Sequence, residues 1–300
     1  MGFPLLAVEL KGGLGNQLFQ IATGFAYAKR YSLDLCFPRV WNCRHDRSPL
    51  WNTYFKDTQH KFLLLEKSSF ETINWHTMIE EGFAYKELAA PVRGYPFYKL
   101  NGYFQSSLFF KAVQEEVREL LHIPLWLSVD ANQSLELVQV NPDEAWIGAH
   151  VRRGDYLNTN AVSYHVVTTK EYFEGARSHI QQKTGYTRVC WITEDPVWVS
   201  QVLAKEGDEI ISGNNLVDFA TLAKFKHLIL SNSSYSWWAA WLNPLKHKNR
   251  VICVPNKWFG PTGPQDCASI FEDDWTLIDT TSGKAVEHVD NQTRESKAGQ

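Results

Sequence analysis

The sequence has no apolar run near the roughly 20 residues that a membrane-spanning helix needs. Nor does it open with a basic stretch, an apolar stretch and a cleavage site. These two absences lead to the expectation of a soluble, cytoplasmic chain with no transmembrane segment. A net charge of −3 leaves no electrostatic footprint for nucleic acid. The five cysteines, at 36, 43, 190, 253 and 267, form no C-x-x-C pair and have no histidine at zinc spacing. An odd, scattered set fits reduced thiols better than a disulfide framework. H-x-x-x-H, D-x-D and G-x-S-x-G are also missing, so no metal ligand set and no nucleophile elbow is expected.

What is present is a globular composition, 44% hydrophobic and 21% charged, long enough for two domains of ordinary size. Twelve tryptophans are many for 300 residues, and they are expected partly in the core and partly around a cleft.

The stretch "LKGGLGNQLFQ" (10–20) follows the short apolar strand "LLAVEL" (5–10) and opens a helical pattern: Leu18, Ile21, Ala22, Phe25, Ala28. Asn16 is the expected N-cap. With "LDLCF" (33–37) as a second strand, this is the start of a parallel α/β unit. Gly13 and Gly15 sit where a phosphate-cradling turn would have them. The third place of a dinucleotide fingerprint is Leu18 rather than glycine, and no Gly-Lys-Ser/Thr ending makes a P-loop. Residues 40–100 carry no clear period, and helical periodicity returns at 105–121.

The second half alternates strands (145–151, 188–193, 208–212, 227–231, 250–255) with helices (170–183, 196–206, 216–225, 234–243). That pattern predicts a doubly wound parallel sheet. The expected domains are 1–140 and 141–280, with a polar tail over 281–300.

Three stretches can carry chemistry. "HVRRGDY" (150–156) leaves a strand end, where ligands gather in such folds. Alternation puts His150 and Arg152 on one face and Arg153 on the other. An imidazole beside a guanidinium suits a nucleoside diphosphate; the alternative is ion pairing of the arginines with Asp155. "ITED" (192–195) ends another strand, where Asp195 before Pro196 reads first as a helix cap. "SNSSYSWWAAWL" (231–242) brings serine hydroxyls and backbone N–H groups to a helix start, an anion site in geometry. Its serines serve equally well as caps, and its tryptophans as a core face.

Together these stretches, with "NGYFQSSLFF" (101–110), "DFATLAKFKHLIL" (218–230) and "VICVPNKWF" (251–259), resemble glycosyltransferase family 11, the α-1,2-fucosyltransferases. The resemblance implies an α/β GT-B fold, two Rossmann-like domains facing across a cleft. It implies GDP-fucose as donor, held by the C-terminal domain, and a glycan acceptor with a terminal or exposed galactose, held by the N-terminal one. On that resemblance the family's nucleotide-contacting residues map onto His150 for the guanine nucleotide and Arg152 for the diphosphate. Asp195 falls to the guanine, and Ser233, Ser234 and Tyr235 to the phosphates. Gly13 and Gly15 allow close backbone approach, and Asn16 and Gln17 hydrogen-bond fucose and phosphates. The implied reaction is inverting, with Arg152 and Asn16 in the catalytic group, Asp155 as the candidate base, and no metal or other cofactor. The competing expectations are a nicotinamide- or adenosylmethionine-dependent Rossmann enzyme and a non-catalytic sugar-binding module.

Overall fold

A computed structural model describes residues 4–39, 50–158, 163–243 and 249–287. The chain divides into two units, Met1–Pro124 with Ala268–Ile270, and Leu125–Cys267 with Phe271–Gln300.

The first unit begins with β1 (Leu5–Val8), α1 (Leu14–Tyr31) and β2 (Asp34–Pro38). It continues with β3 (Leu63–Leu65), α2 (Lys67–Thr72), β4 (His76–Ile79), β5 (Phe97–Asn101) and α3 (Gln114–Leu120). Its five strands form one parallel sheet in the order β3-β2-β1-β5-β4. Three of these strands come from the aperiodic region 40–100. The expected helix over 105–121 is a 3-10 run, Ser107–Val113, kinked at Phe110, followed by α3. Asn16 is not the N-cap: α1 starts at Leu14, Gly13 occupies the cap, and Asn16 lies inside the first turn.

The second unit opens with α4 (Leu125–Leu137), which buries Leu127, Ala131 and Leu135. Then come β6 (Trp146–Val151), α5 (Lys170–Thr184), β7 (Arg188–Thr193), α6 (Pro196–Val202) and β8 (Glu209–Ile211). The chain continues with α7 (Asn215–Leu222), β9 (His227–Ile229), α8 (Ser234–Trp241), β10 (Ile252–Pro255), β11 (Thr276–Ile278) and β12 (Ala285–Val286). Local chemistry sets the helix ends. Thr169, Asp195, Asn214 and Ser233 each cap the following helix by accepting a backbone N–H, and Gly185 closes α5 in the left-handed region.

The seven strands run β12-β11-β10-β9-β6-β7-β8, parallel except for β12. Counted from β6, the six parallel strands follow the Rossmann order 3-2-1-4-5-6, so β6 and β9 flank the point where the strand order reverses. Every residue of β6 is buried, as expected of a strand with helices over both faces. Trp237, Trp238 and Trp241 are all core residues, at most 2% exposed, so the tryptophan run of α8 is packing. In the expected tail β12 pairs with β11, and residues 288–300 lie outside the described residues.

Candidate functional site

The strand-order reversal in the second unit places two loop starts side by side. Ser231, just after β9, donates from Oγ to the His150 carbonyl (2.8 Å) and accepts from the Arg152 N–H (3.0 Å). This buried hydroxyl locks the exit of β6 to the exit of β9.

His150 is buried, and its ring lies 5.0 Å from that of Tyr235 at 32°. Burial, helped by the charge of Arg152, pushes its pKa down to about 3, so the imidazole is neutral at ordinary pH. Its Nδ1 is buried and has no hydrogen-bond partner among the described residues. An orphaned polar atom of this kind is unusual and calls for a ligand or a role.

Arg152 and Arg153 diverge. Arg152 Nη1 donates to Glu194 Oε2 (2.6 Å), and its guanidinium lies over Tyr156 (5.5 Å). Arg153 Nε donates to Asp195 Oδ2 (3.2 Å), and its guanidinium stacks on Trp198 at 3.9 Å. Asp195 uses its other oxygen to cap α6 through the Trp198 N–H (3.1 Å). Asp195 is therefore the cap that the local sequence indicated, and it also pairs with Arg153, a partnership the sequence assigned to Asp155. Asp155 falls in the 3-10 turn Gly154–Leu157, and its side chain lies outside the described residues.

Ser233 caps α8 by accepting the Tyr235 N–H (3.4 Å), and Ser234 is the first helical residue. Ser236 turns inward and donates to the carbonyls of Ser231 (3.1 Å) and Ser233 (3.2 Å). The Tyr235 hydroxyl donates to the Asn215 carbonyl (2.6 Å), and the tyrosine ring packs on His150. Asn232, which matches a glycosylation pattern, is buried: its Nδ2 donates to the carbonyls of Val166 (2.9 Å) and Trp258 (2.8 Å). Asn232 Oδ1 has no partner among the described residues.

In the first unit the order reverses between β1 and β5. The glycine this turn requires is Gly12, at φ +77, where a Cβ would stand 2.3 Å from Asn16 Nδ2. Gly13 caps α1 at φ −81, and Gly15 is buried in the first turn. Asn16 Oδ1 accepts from Gln105 Nε2 (2.7 Å), which joins the first turn of α1 to the loop after β5. Gln17 is buried, donates back to the Gly12 carbonyl (3.1 Å) and leaves Oε1 without a partner among the described residues. Gln20 binds the N–H (2.9 Å) and carbonyl (3.2 Å) of Lys11, together with the carbonyl of Gly102 (3.1 Å).

Ser231, Glu194, Gln105 and Gln20 are not among the individual residues that the sequence singles out. Glu194 carried a signal, since it stands beside Asp195 at a strand end. Gln20 and Gln105 carried none, because their partners are backbone groups or residues distant in the chain.

Chemically, the second unit offers a neutral imidazole, a fixed guanidinium and a helix start together at the carboxyl ends of two central strands. That set can hold a nucleotide base and its phosphates.

The family model described as Glycosyl transferase family 11 matches residues 5–279. An alpha-1,2-colitosyltransferase of Escherichia coli is 25% identical over 276 residues, which span 85% of this chain and 92% of that protein. A galactoside alpha-(1,2)-fucosyltransferase 2 of Oryctolagus cuniculus is 24% identical over 245 residues, 78% of this chain and 66% of that protein. Among solved structures, the glycosyl transferase family 9 from Veillonella parvula DSM 2008 aligns with a TM-score of 0.50 at 10% identity, covering 100% of this chain and 92% of that one. That last likeness bears on fold alone. The fold is α/β of the GT-B type, with two Rossmann-like units in one chain.

Proposed function

The chain belongs to glycosyltransferase family 11, and from that premise we propose that it moves L-fucose from GDP-fucose to a glycan hydroxyl with inversion. The observation that carries this reading is the pairing at the sheet's reversal point. His150 and Arg152 leave β6 directly beside the Ser233-capped start of α8. Doubly wound folds bind nucleotides at that point.

The donor is assigned to the second unit and the acceptor to the first. The acceptor oxygen attacks fucose C1 while the bond from C1 to the diphosphate oxygen breaks and its electron pair leaves with GDP. The acceptor proton passes to a base, for which Asp155 is the assigned residue. Charge grows on the departing diphosphate, where Arg152 and the N–H groups at the α8 start oppose it. On this reading a divalent metal is not required, because these groups supply the positive charge. His150, neutral and orphaned at Nδ1, serves the nucleotide by hydrogen bonding rather than by charge.

The acceptor position is assigned to O2 of a galactose residue, on the names of relatives such as the galactoside alpha-(1,2)-fucosyltransferase. A cytoplasmic site of action belongs to the same reading, with which the buried cysteines Cys36, Cys190 and Cys253, unbridged among the described residues, are in keeping. The test is incubation with GDP-fucose or GDP-colitose and a panel of galactosides, followed by linkage analysis of the product. The colitose arm is included because one relative is named for that sugar. An α-1,2-fucosylated galactoside supports the reading, a colitosylated one alone changes the donor, and no transfer from either rejects it.

A further inference from the structure

Val151 of β6 pairs in register with Thr193 of β7, so residues 152 and 194 are the next pair across the two strand exits, and 153 and 195 the one after. Both pairs are guanidinium with carboxylate, but they are built differently. Arg153 and Asp195 are fixed by the Trp198 ring and by the cap of α6. That pair belongs to the fold.

Glu194 is fixed from below. Its Oε1 accepts the Arg153 N–H (3.1 Å), and its Oε2 grips Arg152 Nη1 (2.6 Å). Gly154 makes room for it, since a Cβ at 154 would stand 2.7 Å from Glu194 Oε1. A guanidinium is planar, so a carboxylate anchored to backbone and gripping one nitrogen sets the plane of the whole fork.

We propose that Glu194 is a positioning residue for transfer, a braced carboxylate that orients the Arg152 guanidinium toward the departing diphosphate. The proposal rests on the donor reading above and adds a residue to it. The same carboxylate offsets the charge of Arg152 before the reaction, so it favours geometry at the expense of ground-state attraction for the diphosphate. A group acting this way raises turnover without tightening nucleotide binding. A residue that merely supports the fold does not separate the two.

The test compares the full-length protein with Glu194→Gln, Glu194→Asp, Arg152→Lys and the Arg152→Lys/Glu194→Gln double variant. The readouts are kcat, the Kd for GDP by calorimetry, and Tm. Glu194→Gln keeps an acceptor for the Arg153 N–H but loses the charge. It is expected to lower kcat about tenfold while Tm holds and the GDP Kd stays equal or falls. Glu194→Asp keeps the charge but is too short to reach both partners, and it should be slow as well. The double variant should be no slower than Arg152→Lys alone, because the two residues act as a unit. Wild-type kcat in Glu194→Gln, additive effects in the double variant, or a GDP Kd weakened together with Tm would each overturn the proposal. An unmutated protein that binds GDP but transfers no sugar would overturn the transfer reading. The GDP affinities would still decide on Glu194, because weaker GDP binding by Glu194→Gln at unchanged Tm contradicts it.

Discussion

The ring of Tyr235 packs against that of His150, 5.0 Å apart and 32° from parallel, and the tyrosine hydroxyl is anchored on the Asn215 carbonyl. The imidazole is thereby sealed from water, which disfavours its charged form. Its pKa falls from the usual 6.5 to about 3, with burial the larger cause and Arg152 the smaller. Between those values the unfolded chain binds a proton that the folded chain refuses. The stability that His150 contributes is therefore fully present above about pH 6.5 and is lost as pH falls toward 3. His150→Gln should flatten this dependence, so the difference in Tm between wild type and variant should shrink from pH 7 to pH 4. A difference that stays constant over that range would mean that His150 titrates normally.

The neighbouring arginines should fail in different ways. Arg152→Lys keeps the charge but loses the planar fork, and turnover should drop on the order of 10²–10³-fold, as when one preorganised donor is removed. GDP affinity should drop less. Arg153→Lys breaks the Nε bond to Asp195 and the stack on Trp198, so its effect should appear in Tm, with turnover largely kept. Steady-state kinetics and melting curves on both variants check this, and the reverse pattern would show that the two roles are exchanged.

Asp208 forms a buried ion pair with Arg177 in the second unit. Its side chain is fully buried and accepts from both Arg177 terminal nitrogens (2.7 and 2.8 Å), the Trp191 indole (3.1 Å) and the N–H groups of Val189 (2.9 Å) and Lys205 (2.9 Å). Asp208→Asn strands a buried guanidinium and should cost about 3–5 kcal/mol in urea unfolding. A cost below about 1 kcal/mol, the range of a surface pair, would contradict the assignment.

Asn16→Ala removes the acceptor that holds Gln105 to α1 in the first unit. If the donor belongs to the second unit, this variant should lose turnover while keeping most of its GDP affinity. A folded Asn16→Ala protein with no GDP binding would contradict that division.

The proposed function carries with it an expectation of metal independence, on the same electrostatics. Transfer measured in EDTA should match transfer in magnesium or manganese. Activity lost in EDTA and restored by either ion would overturn it.

Much of the second unit was legible in the sequence, because a sheet covered on both faces writes short continuous apolar runs such as "WIGAHV" and "RVCWIT". The first unit was less so. β3 is three residues long and partly exposed, while β4 and β5 mix polar and apolar residues, so no window of residues 40–100 shows a period. The helix α4 is poorly marked in the sequence because Leu125 and Leu137, exposed at 80% and 86%, blur its apolar face. In the site, residue types pointed to His150 and Arg152. The partner of Arg152 follows only from the register of β6 with β7, and the packing of Tyr235 on His150 only from the fold that brings α8 beside β6.

The most direct test of the central claim is GDP release from GDP-fucose by the purified protein with a β-galactoside present, alongside thermal shifts with GDP and NAD. The account predicts GDP release that depends on the galactoside, a raised Tm with GDP and none with NAD. No GDP release over the galactoside panel, together with stabilisation by NAD and not by GDP, would contradict it.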